Sequence, residues 1–450
     1  MKPALMRHLS PERIFILGFV GLILLGALLL GLPAAATRPL SFLDALFTSA
    51  SAVCITGLAV VGIGQDLSFF GQTVTLVLLQ VGGLGIITFS AVFFVMMGRG
   101  LATKERDILQ SVFLHAPRRD LAAILKSVLV TTACCEAAGT LLLWMRFGRD
   151  MPPGQALYQA LYHAVSAFNN CGYALFADSL TSFRGDLLVN LTVMGLIVAG
   201  GIGFIVHFEL FMRLRGRQRR LSVHTKVVLI ATAVLVAGGA LVFFAFERDG
   251  VLAGLPWPHQ VLASLFQSVT ARTAGFNTVD IAQLSNQTIL MTLVLMFIGA
   301  SPGSTAGGVK TTSASLLVLL MWSRARGREE VTVFNRTIPK ELLNRMIAII
   351  LASTLTIVLV ASLVLVAADD TPQPVQSRHL FVEYFFETVS AFGTVGLSMN
   401  VTPNLNPLQK AAIMLMMIAG RVGPLTLAFS LARLSGRRQV RYAEVGVMVG

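Results

Sequence analysis

Long apolar runs dominate this sequence and restrict the chain to folds that lie within a lipid bilayer. They occupy residues 14–32, 73–97, 121–145, 187–212, 227–246, 288–322, 346–367 and 411–435, and each can cross about 30 Å of hydrocarbon as a helix. Hydrophobic residues make up 55% of the chain and charged residues only 13%, a balance that soluble domains of this size do not show. The sequence therefore predicts an all-α polytopic membrane protein with eight spans.

The net charge of +13 is concentrated in a few segments of the chain. Most Lys and Arg residues lie at the two termini and in the loops 98–126, 213–226 and 322–345, whereas the segments that alternate with these loops carry few. Because short cytoplasmic loops are rich in Lys and Arg, this asymmetry predicts cytoplasmic N- and C-termini in the cytoplasmic membrane. It also explains the basic charge without a nucleic-acid partner, which we do not expect.

Four shorter stretches lie between the spans and resemble one another. They cover residues 41–53, 154–168, 258–271 and 379–392, which is too short to cross a bilayer, so we expect each to enter from outside and return. Each contains a Ser/Thr-Ala pair that precedes a glycine by six residues, or by five in the third stretch, and these glycines are Gly57, Gly172, Gly275 and Gly396. The repetition predicts four pseudosymmetric helix–pore loop–helix repeats around one central pore, as in a potassium channel.

The four repeats are expected to cover residues 1–100, 101–220, 221–325 and 326–436, followed by a C-terminal tail at 437–450. In the third repeat, glycines and a proline interrupt the apolar run between Gly299 and Lys310, which predicts a broken second helix. From Gly303 the segment nearly matches a phosphate-binding loop, but Val309 displaces the lysine by one position and no strand is expected before it. Close helix packing through small residues is another interpretation of the same segment.

Four loops at membrane depth favour a pathway for cations. Non-helical backbone is tolerated there only where it is buried in protein or lines a watery cavity, and a ring of carbonyl oxygens replaces the hydration shell of potassium. The fourth loop contains Thr394-Val395-Gly396, the start of the TVGYG potassium filter. We therefore expect potassium, as the transported ion, to bind the backbone carbonyls of Val53, Cys54, Ile55, Thr56, Gly57, Asn169, Asn170, Cys171, Gly172, Ala271, Arg272, Thr273, Ala274, Gly275, Gly393, Thr394, Val395 and Gly396.

Charged residues within the apolar runs are candidates for function, because a charge at membrane depth is costly unless it faces water or a partner. Arg421 is expected to face the pore, with hydrogen bonds to carbonyls between helices as the alternative. Glu136 is predicted to form a structural hydrogen bond to a neighbouring helix or pore helix rather than to bind ions. Asp44 and Glu387, near the first and fourth loops, either draw cations to the mouth of the pore or anchor the pore helices.

The segments SAVCITGL, VSAFNNCGY, QSVTARTAGFN and SAFGTVGLS resemble the four filters of the Ktr/Trk/HKT superfamily of cation transporters, and the resemblance covers the whole chain. It is nearest to the KtrB-type membrane subunits of potassium uptake systems, because the chain starts directly with its first repeat. Family members keep a glycine in each filter for potassium, whereas some plant relatives with serine in the first filter conduct mainly sodium. The resemblance and Gly57 thus imply a potassium transporter.

The resemblance also implies a gate beneath the filter. The family has a flexible intramembrane loop there and a matching arginine, which implies a gate in this chain formed by Gly299, Ser301, Gly303, Ser304, Thr305, Gly307, Gly308, Lys310 and Arg421. Lys310 has a second interpretation, because it could snorkel towards water at the cytoplasmic end of the loop.

Partners follow from the resemblance alone. It implies a homodimer with the C-terminal tail at the subunit interface, surrounded by membrane lipid. It also implies a cytosolic KtrA-like regulatory ring that binds ATP or ADP, for which the basic loops are docking candidates. Activation by sodium is a further implication, and no organic cofactor is expected in this chain.

Other functions fit the sequence less well. A sodium-selective or non-selective monovalent cation transporter of the same fold would differ only in its filter chemistry. An intramembrane enzyme would need paired carboxylates or a Ser/His dyad facing one cavity, and the membrane-embedded acids and histidines are too sparse for such a cluster. A receptor or scaffold would leave four repeated glycine loops unexplained. We therefore do not expect an enzyme.

Overall fold

The computed structural model describes residues 11–85, 121–216, 218, 220–368 and 377–423. These residues form fourteen α-helices, four short 3-10 helices and one antiparallel hairpin of β1 (Thr332–Val333) and β2 (Arg336–Thr337), which confirms the predicted all-α class. In chain order the helices are α1 (Pro11–Leu30), α2 (Phe42–Cys54), α3 (Phe69–Leu84), α4 (Leu121–Phe147), α5 (Pro153–Phe168), α6 (Leu187–Gly201), α7 (Phe204–Leu214), α8 (Val223–Glu247), α9 (Trp257–Thr270), α10 (Asn286–Phe297), α11 (Thr311–Ala325), α12 (Lys340–Val366), α13 (Arg378–Gly393) and α14 (Pro407–Val422).

Each repeat consists of a first helix, a short pore helix and a second helix. The first helices are α1, α4, α8 and α12, the pore helices are α2, α5, α9 and α13, and the second helices are α3, α6, α10 and α14. The first and second helices of a repeat pack together, and each pore helix also packs against the second helix of the preceding repeat. Because α2 packs in the same way against α14, the four repeats close into a ring.

Local sequence sets where the pore helices begin. Ser41 caps α2, and its hydroxyl oxygen accepts a hydrogen bond from the backbone N–H of Asp44. Pro153 in α5 and Pro258 in α9 lie within the first two helical positions, where a proline costs no hydrogen bond and its fixed φ suits the helix. The starts of α2, α5 and α9 are therefore favoured by their local sequence.

Three helices in the described part of the chain are long and apolar enough to cross a membrane unaided: Leu125–Phe147 within α4, and the whole of α8 and α12. The second helices are shorter. Gly85, with φ +76°, ends α3, and Gly423, with φ +92°, ends α14. The apolar run at 288–322, in which a break was predicted, is divided into α10 and α11 by residues 298–310.

The span predicted at 187–212 is divided into two helices, α6 and α7. The chain bends by 100° between α6 and α7, and Gly203 at the bend has φ +93°. The bend lies beside the second pore loop, since a Cβ on Gly200 would be 1.8 Å from the carbonyl oxygen of Phe168. In sequence, a group of glycines in an apolar run is typical of close helix packing. Only the tertiary contact with the carbonyl of Phe168 distinguishes a bend from such a packing stripe.

In two other repeats, a glycine lets the second helix approach the backbone of the pore loop of the same repeat. A Cβ on Gly82 of α3 would lie 2.2 Å from the carbonyl oxygen of Val53, and one on Gly420 of α14 would lie 1.9 Å from that of Phe392. Val53 and Phe392 occupy the same position as Phe168, four residues before the filter glycine. The three contacts are therefore one geometry repeated around the ring.

Several predictions from sequence fall on residues outside the described ranges. These are the ends of the spans at 86–97 and 424–435, the part of the basic loop at 98–120, and the C-terminal tail at 437–450.

An ion pair joins the first and last repeats. Lys410 Nζ of α14 lies 2.7 Å from Asp44 Oδ1 at the start of α2. Burial alone would raise the pKa of Asp44, but hydrogen bonds from Lys410 and Ser41 and the positive charge of Lys410 lower this pKa below its ordinary value. The stabilisation is therefore present above the ordinary carboxyl pKa and is lost as the pH falls below it.

We expect Asp44→Asn to lower the free energy of unfolding by about 1 kcal/mol or less, since the pair is partly exposed to solvent. A double-mutant cycle with Lys410→Met, followed by thermal unfolding in detergent at neutral pH, measures the coupling. Additive effects of the two changes would show that the pair does not stabilise the junction between repeats.

Candidate ion pathway

The four predicted filter segments share one backbone conformation. The filter glycines have φ values between +80° and +89°. The residue two positions before each glycine is also left-handed, which is uncommon for residues other than glycine. The eight residues are Ile55 and Gly57, Asn170 and Gly172, Thr273 and Gly275, and Thr394 and Gly396. Four equivalent pairs of unusual residues indicate one fourfold site rather than four unrelated turns.

Contacts between the glycines close the ring of loops. A Cβ built on each glycine would overlap the carbonyl oxygen of the residue before the glycine in the next loop. The distances are 1.9 Å from Gly57 to Cys171, 2.4 Å from Gly172 to Ala274, 2.4 Å from Gly275 to Val395, and 2.3 Å from Gly396 to Thr56. The loops therefore follow one another in chain order around one axis, and no side chain fits at any of the four glycines.

The repeated Ser/Thr-Ala pair turns the chain out of each pore helix. The backbone N–H of the residue before the filter glycine donates to the carbonyl of the Ser or Thr: Thr56 to Ser51 at 2.8 Å, Cys171 to Ser166 at 2.9 Å, Ala274 to Thr270 at 2.9 Å and Val395 to Ser390 at 2.9 Å. From the sequence, the Ser/Thr-Ala pair was used only to align the repeats. Its position five or six residues before a glycine was the signal that indicated its role in turning the chain. The filter N–H groups are thus used inside the protein.

One vestibule of about 470 Å³ opens onto all four filter glycines. Asp66 and Asp280 contribute carboxylates to its wall, and Arg38, also in the wall, pairs with Asp66 at 2.8 Å. Asp44 instead pairs with Lys410, and Glu387 is fully buried, where its Oε1 accepts a hydrogen bond from the Thr402 hydroxyl. Among the candidate acids, Asp44 and Glu387 therefore anchor the pore helices.

Two predicted filter residues direct their side chains behind the filter. Asn169 Nδ2 donates to Gln80 Oε1 at 2.7 Å and to Glu136 Oε1 at 3.2 Å, so Glu136 makes the structural hydrogen bond expected of it. Arg272 is 7% exposed and lines a small cavity beside Thr232 and Ile197, between α6, α8 and α9. Arg272 therefore lies at the boundary between the second and third repeats.

Four buried polar side chains recur at one position of the repeats, and among them only Glu387 was singled out from the sequence. Each lies three residues before the Ser or Thr of the repeated pair, on the pore helix. Gln267 Nε2 donates a hydrogen bond to Thr278 Oγ1 at 3.4 Å. Glu387 instead accepts a hydrogen bond, from the Thr402 hydroxyl. The four residues are Thr48, His163, Gln267 and Glu387. Alignment of the repeats would have found them, because their position is polar in every copy.

The interrupted segment of the third repeat lies directly against the filter. It is an irregular loop that follows helix α10 rather than a strand, unlike a phosphate-binding loop. Its backbone N–H groups bond neighbouring second helices, from Ser301 to Gly201 O at 3.0 Å and from Gly308 to Gly420 O at 3.3 Å. We call residues 299–310 the intramembrane loop.

Two basic side chains hold the intramembrane loop. Arg421 donates hydrogen bonds to the carbonyls of Thr305 in the loop and of Gly82 and Gly83 at the end of α3. Lys310 Nζ turns back onto the loop and donates to Ala306 O at 2.7 Å, a contact that favours a role in the loop over snorkelling. The guanidinium of Arg421 therefore joins the first, third and fourth repeats beneath the filter.

A family of cation transport proteins, TrkH, matches residues 18–437. The chain belongs to this family. It is 38% identical to Ktr system potassium uptake protein B of Bacillus subtilis strain 168, across 98% of this chain and 97% of that protein. The protein of the same name from Vibrio alginolyticus is 37% identical, across 97% of this chain and 94% of its own length. These relatives are transport proteins, which supports the expectation that this TrkH-family chain is not an enzyme.

Two further proteins are similar to this chain. Potassium/sodium uptake protein NtpJ of Enterococcus hirae is 33% identical across 100% of this chain and 99% of that protein. The crystal structure of the potassium transporter TrkH from Vibrio parahaemolyticus matches with a TM-score of 0.73 at 20% identity, covering 95% of this chain and 86% of that one. The structural match establishes the shared fold.

We expect Glu387→Ala to destabilise this TrkH-family protein by about 1–3 kcal/mol, because the buried Thr402 hydroxyl loses its carboxylate acceptor and keeps only the contact with Ser398 Oγ at 3.1 Å. Glu387→Gln, which keeps an acceptor oxygen, should lose less. Glu383→Ala removes the same charge from a partly exposed position on the same helix and is the matched control. Equal melting temperatures for Glu387→Ala and Glu383→Ala in detergent would contradict the anchoring role.

Proposed function

We propose that this chain takes up potassium ions across the cytoplasmic membrane through the ring of four pore loops. The observation that carries the proposal is the chain-order contact between the four filter glycines, since it directs four backbone strands to one axis. Potassium as the ion is supported by the names of two relatives, both potassium uptake proteins. In this proposal potassium is the substrate, and it binds the backbone carbonyls of the eighteen residues named from the sequence.

The hydrogen bonding of the filter supports ion binding by carbonyls. The N–H groups before the glycines bond inward to the pore helices, so these donors hold the strands in place. The vestibule gives hydrated ions access to all four glycines, and Asp280, the acid of its wall that is not paired with Arg38, favours cations. A potassium ion that sheds its water here exchanges water oxygens for carbonyl oxygens.

We further propose that the intramembrane loop and Arg421 form the gate. The loop is bonded to second helices from two repeats, and the guanidinium adds contacts to a third. A positive charge beneath the filter also repels cations that have passed it. Passage then requires the loop to move aside, for which its glycines provide backbone freedom.

Orientation and regulation complete the proposal. Both termini would be cytoplasmic, which puts the vestibule outside the cell and the gate on the cytoplasmic side of the filter. Two relatives are named as parts of Ktr systems, which supports a partner subunit. We propose that this partner is a KtrA-like ring that binds ATP or ADP, that the chain forms a homodimer in membrane lipid, and that sodium activates transport.

A second candidate function is supported by one relative. NtpJ is named as a potassium/sodium uptake protein, and it matches this chain over nearly its full length. A sodium-selective or weakly selective transporter would use the same ring of loops.

Flux into liposomes tests both candidates directly. Purified protein should carry potassium down its gradient, and competition between potassium and sodium should favour potassium. Protein that carries no potassium in any condition, with or without sodium and a regulatory partner, would refute the proposed function.

We expect Arg421→Ala to raise potassium flux about tenfold, which corresponds to a barrier lowered by about 1.4 kcal/mol. The change removes a positive charge from the pathway and three hydrogen bonds, one to the loop at Thr305 and two to the end of α3. Arg345→Ala, at an exposed position on α12, is the control for loss of one arginine. Unchanged or lower flux in well-folded Arg421→Ala protein would count against the barrier.

We expect Gly57→Ser to lower the preference for potassium over sodium about tenfold, a change of about 1.4 kcal/mol in relative ion stabilisation. The new Cβ would lie 1.9 Å from the carbonyl oxygen of Cys171, so the first and second strands must separate. Gly238→Ser, at a glycine of α8 with open space around it, is the matched control. A wild-type ion preference in Gly57→Ser, measured by competition flux, would refute the filter assignment.

A further inference from the structure

The intramembrane loop touches the filter itself as well as the helices around it. Asn170 and Thr394, the left-handed residues of the second and fourth filter segments, each form a side-chain hydrogen bond to the loop. We propose that these bonds make Thr305 and Thr394 positioning residues, through which the loop sets the ion preference of the filter. This inference rests on the proposed function, because it gives the proposed gate a second role.

Thr305 connects the loop to the second filter segment. Asn170 Nδ2 donates to Thr305 Oγ1 at 2.9 Å, and the hydroxyl of Thr305 lies 3.3 Å from the carbonyl oxygen of Phe168 and 3.2 Å from that of Gly200. The Asn170 and Thr305 side chains are 1% or less exposed, so water cannot readily replace a lost partner. The position of Thr305 therefore acts directly on the residue that turns the second strand.

Thr394 connects the loop to the fourth filter segment. The backbone N–H of Gly307 donates to Thr394 Oγ1 at 2.9 Å. The approach is close, since a Cβ on Gly307 would lie 2.5 Å from that hydroxyl oxygen, and one on Gly308 would lie 3.4 Å from the Cα of Gly393. The loop thus packs on the backbone of the fourth strand as well as bonding its side chain.

The two bonded strands are not neighbours. In the ring of glycine contacts the second segment adjoins the first and third, and the fourth adjoins the third and first. One loop from the third repeat therefore connects opposite sides of the filter, while Arg421 binds the carbonyl of Thr305 from the fourth repeat. A displacement of the loop must break or stretch bonds to both strands.

Coupling between two sites is reciprocal. If the loop favours one arrangement of the left-handed residues, an ion that favours the same arrangement must favour the docked loop by the same factor. Potassium and sodium differ in size and need different arrangements of carbonyls. Loss of a loop-to-filter bond is therefore expected to change the ratio of potassium to sodium affinity, which a gate acting only by obstruction would leave unchanged.

The test compares Thr305→Val, Thr305→Ser and Thr394→Val in the full-length protein. The protein is titrated separately with potassium and sodium, the ion-dependent rise in melting temperature gives each apparent affinity, and flux into liposomes is measured in parallel. We expect both valine variants to shift the affinity ratio about fivefold, the size of one lost hydrogen bond, and Thr305→Ser to retain it. Thr354→Val is the control, because this exposed α12 hydroxyl bonds only its own helix at Ile350.

Raised flux in Thr305→Val with a wild-type affinity ratio would overturn the coupling while leaving the gate intact. An unchanged ratio together with unchanged flux would overturn it as well. Should Thr305→Val fail to fold, Asn170→Gly takes its place, since it removes the donor of the same bond and glycine accepts the φ of +59°. The comparison holds whichever ion the wild-type protein prefers, so failure of the potassium proposal is distinguishable from failure of the coupling.

Discussion

Backbone polar groups within a membrane must find partners inside the protein or face water, and the architecture of this chain depends on that constraint. The pore helices end at membrane depth, where the Ser/Thr-Ala pair supplies acceptors for the N–H groups of the strand that follows. The N–H groups before the four filter glycines therefore have partners inside the protein. The glycines of α3, α6 and α14 serve the same arrangement, because they let helix backbones reach carbonyls of the pore-helix ends.

The four loops were predictable from sequence because they repeat. The break in the third repeat was predictable from the backbone preferences of its proline and glycines. Any single glycine has many structural uses, but four at equivalent positions require a common geometry, which the paired left-handed residues have. Pro302 and its neighbouring glycines oppose a helix by their own backbone preferences. The bend at Gly203 uses a positive φ that glycine allows, but it also depends on the approach of Gly200 to a carbonyl more than thirty residues away in the chain. Sequence patterns within a helix do not contain that information.

Side-chain direction was the other part that sequence could not supply. Asn169 and Arg272 precede their filter glycines by three residues, yet both extend into seams between repeats. Their surroundings come from a neighbouring repeat, so the local pattern does not specify them. Glu136 was predictable in part. A buried acid needs a hydrogen-bond partner, and this need follows from the sequence. That Asn169 is the partner depends on the packing.

The closure of the ring between the last and first repeats has a consequence for how the protein is made. Chains are synthesised from the N-terminus, so the first pore helix exists long before α14, the helix against which it packs. The contact from Gly396 to the first strand joins segments 340 residues apart, and the filter has an open side until it forms. Until the fourth repeat is made, the first and third strands therefore lack their contacts with the fourth strand, and a chain that stops early cannot close the ring.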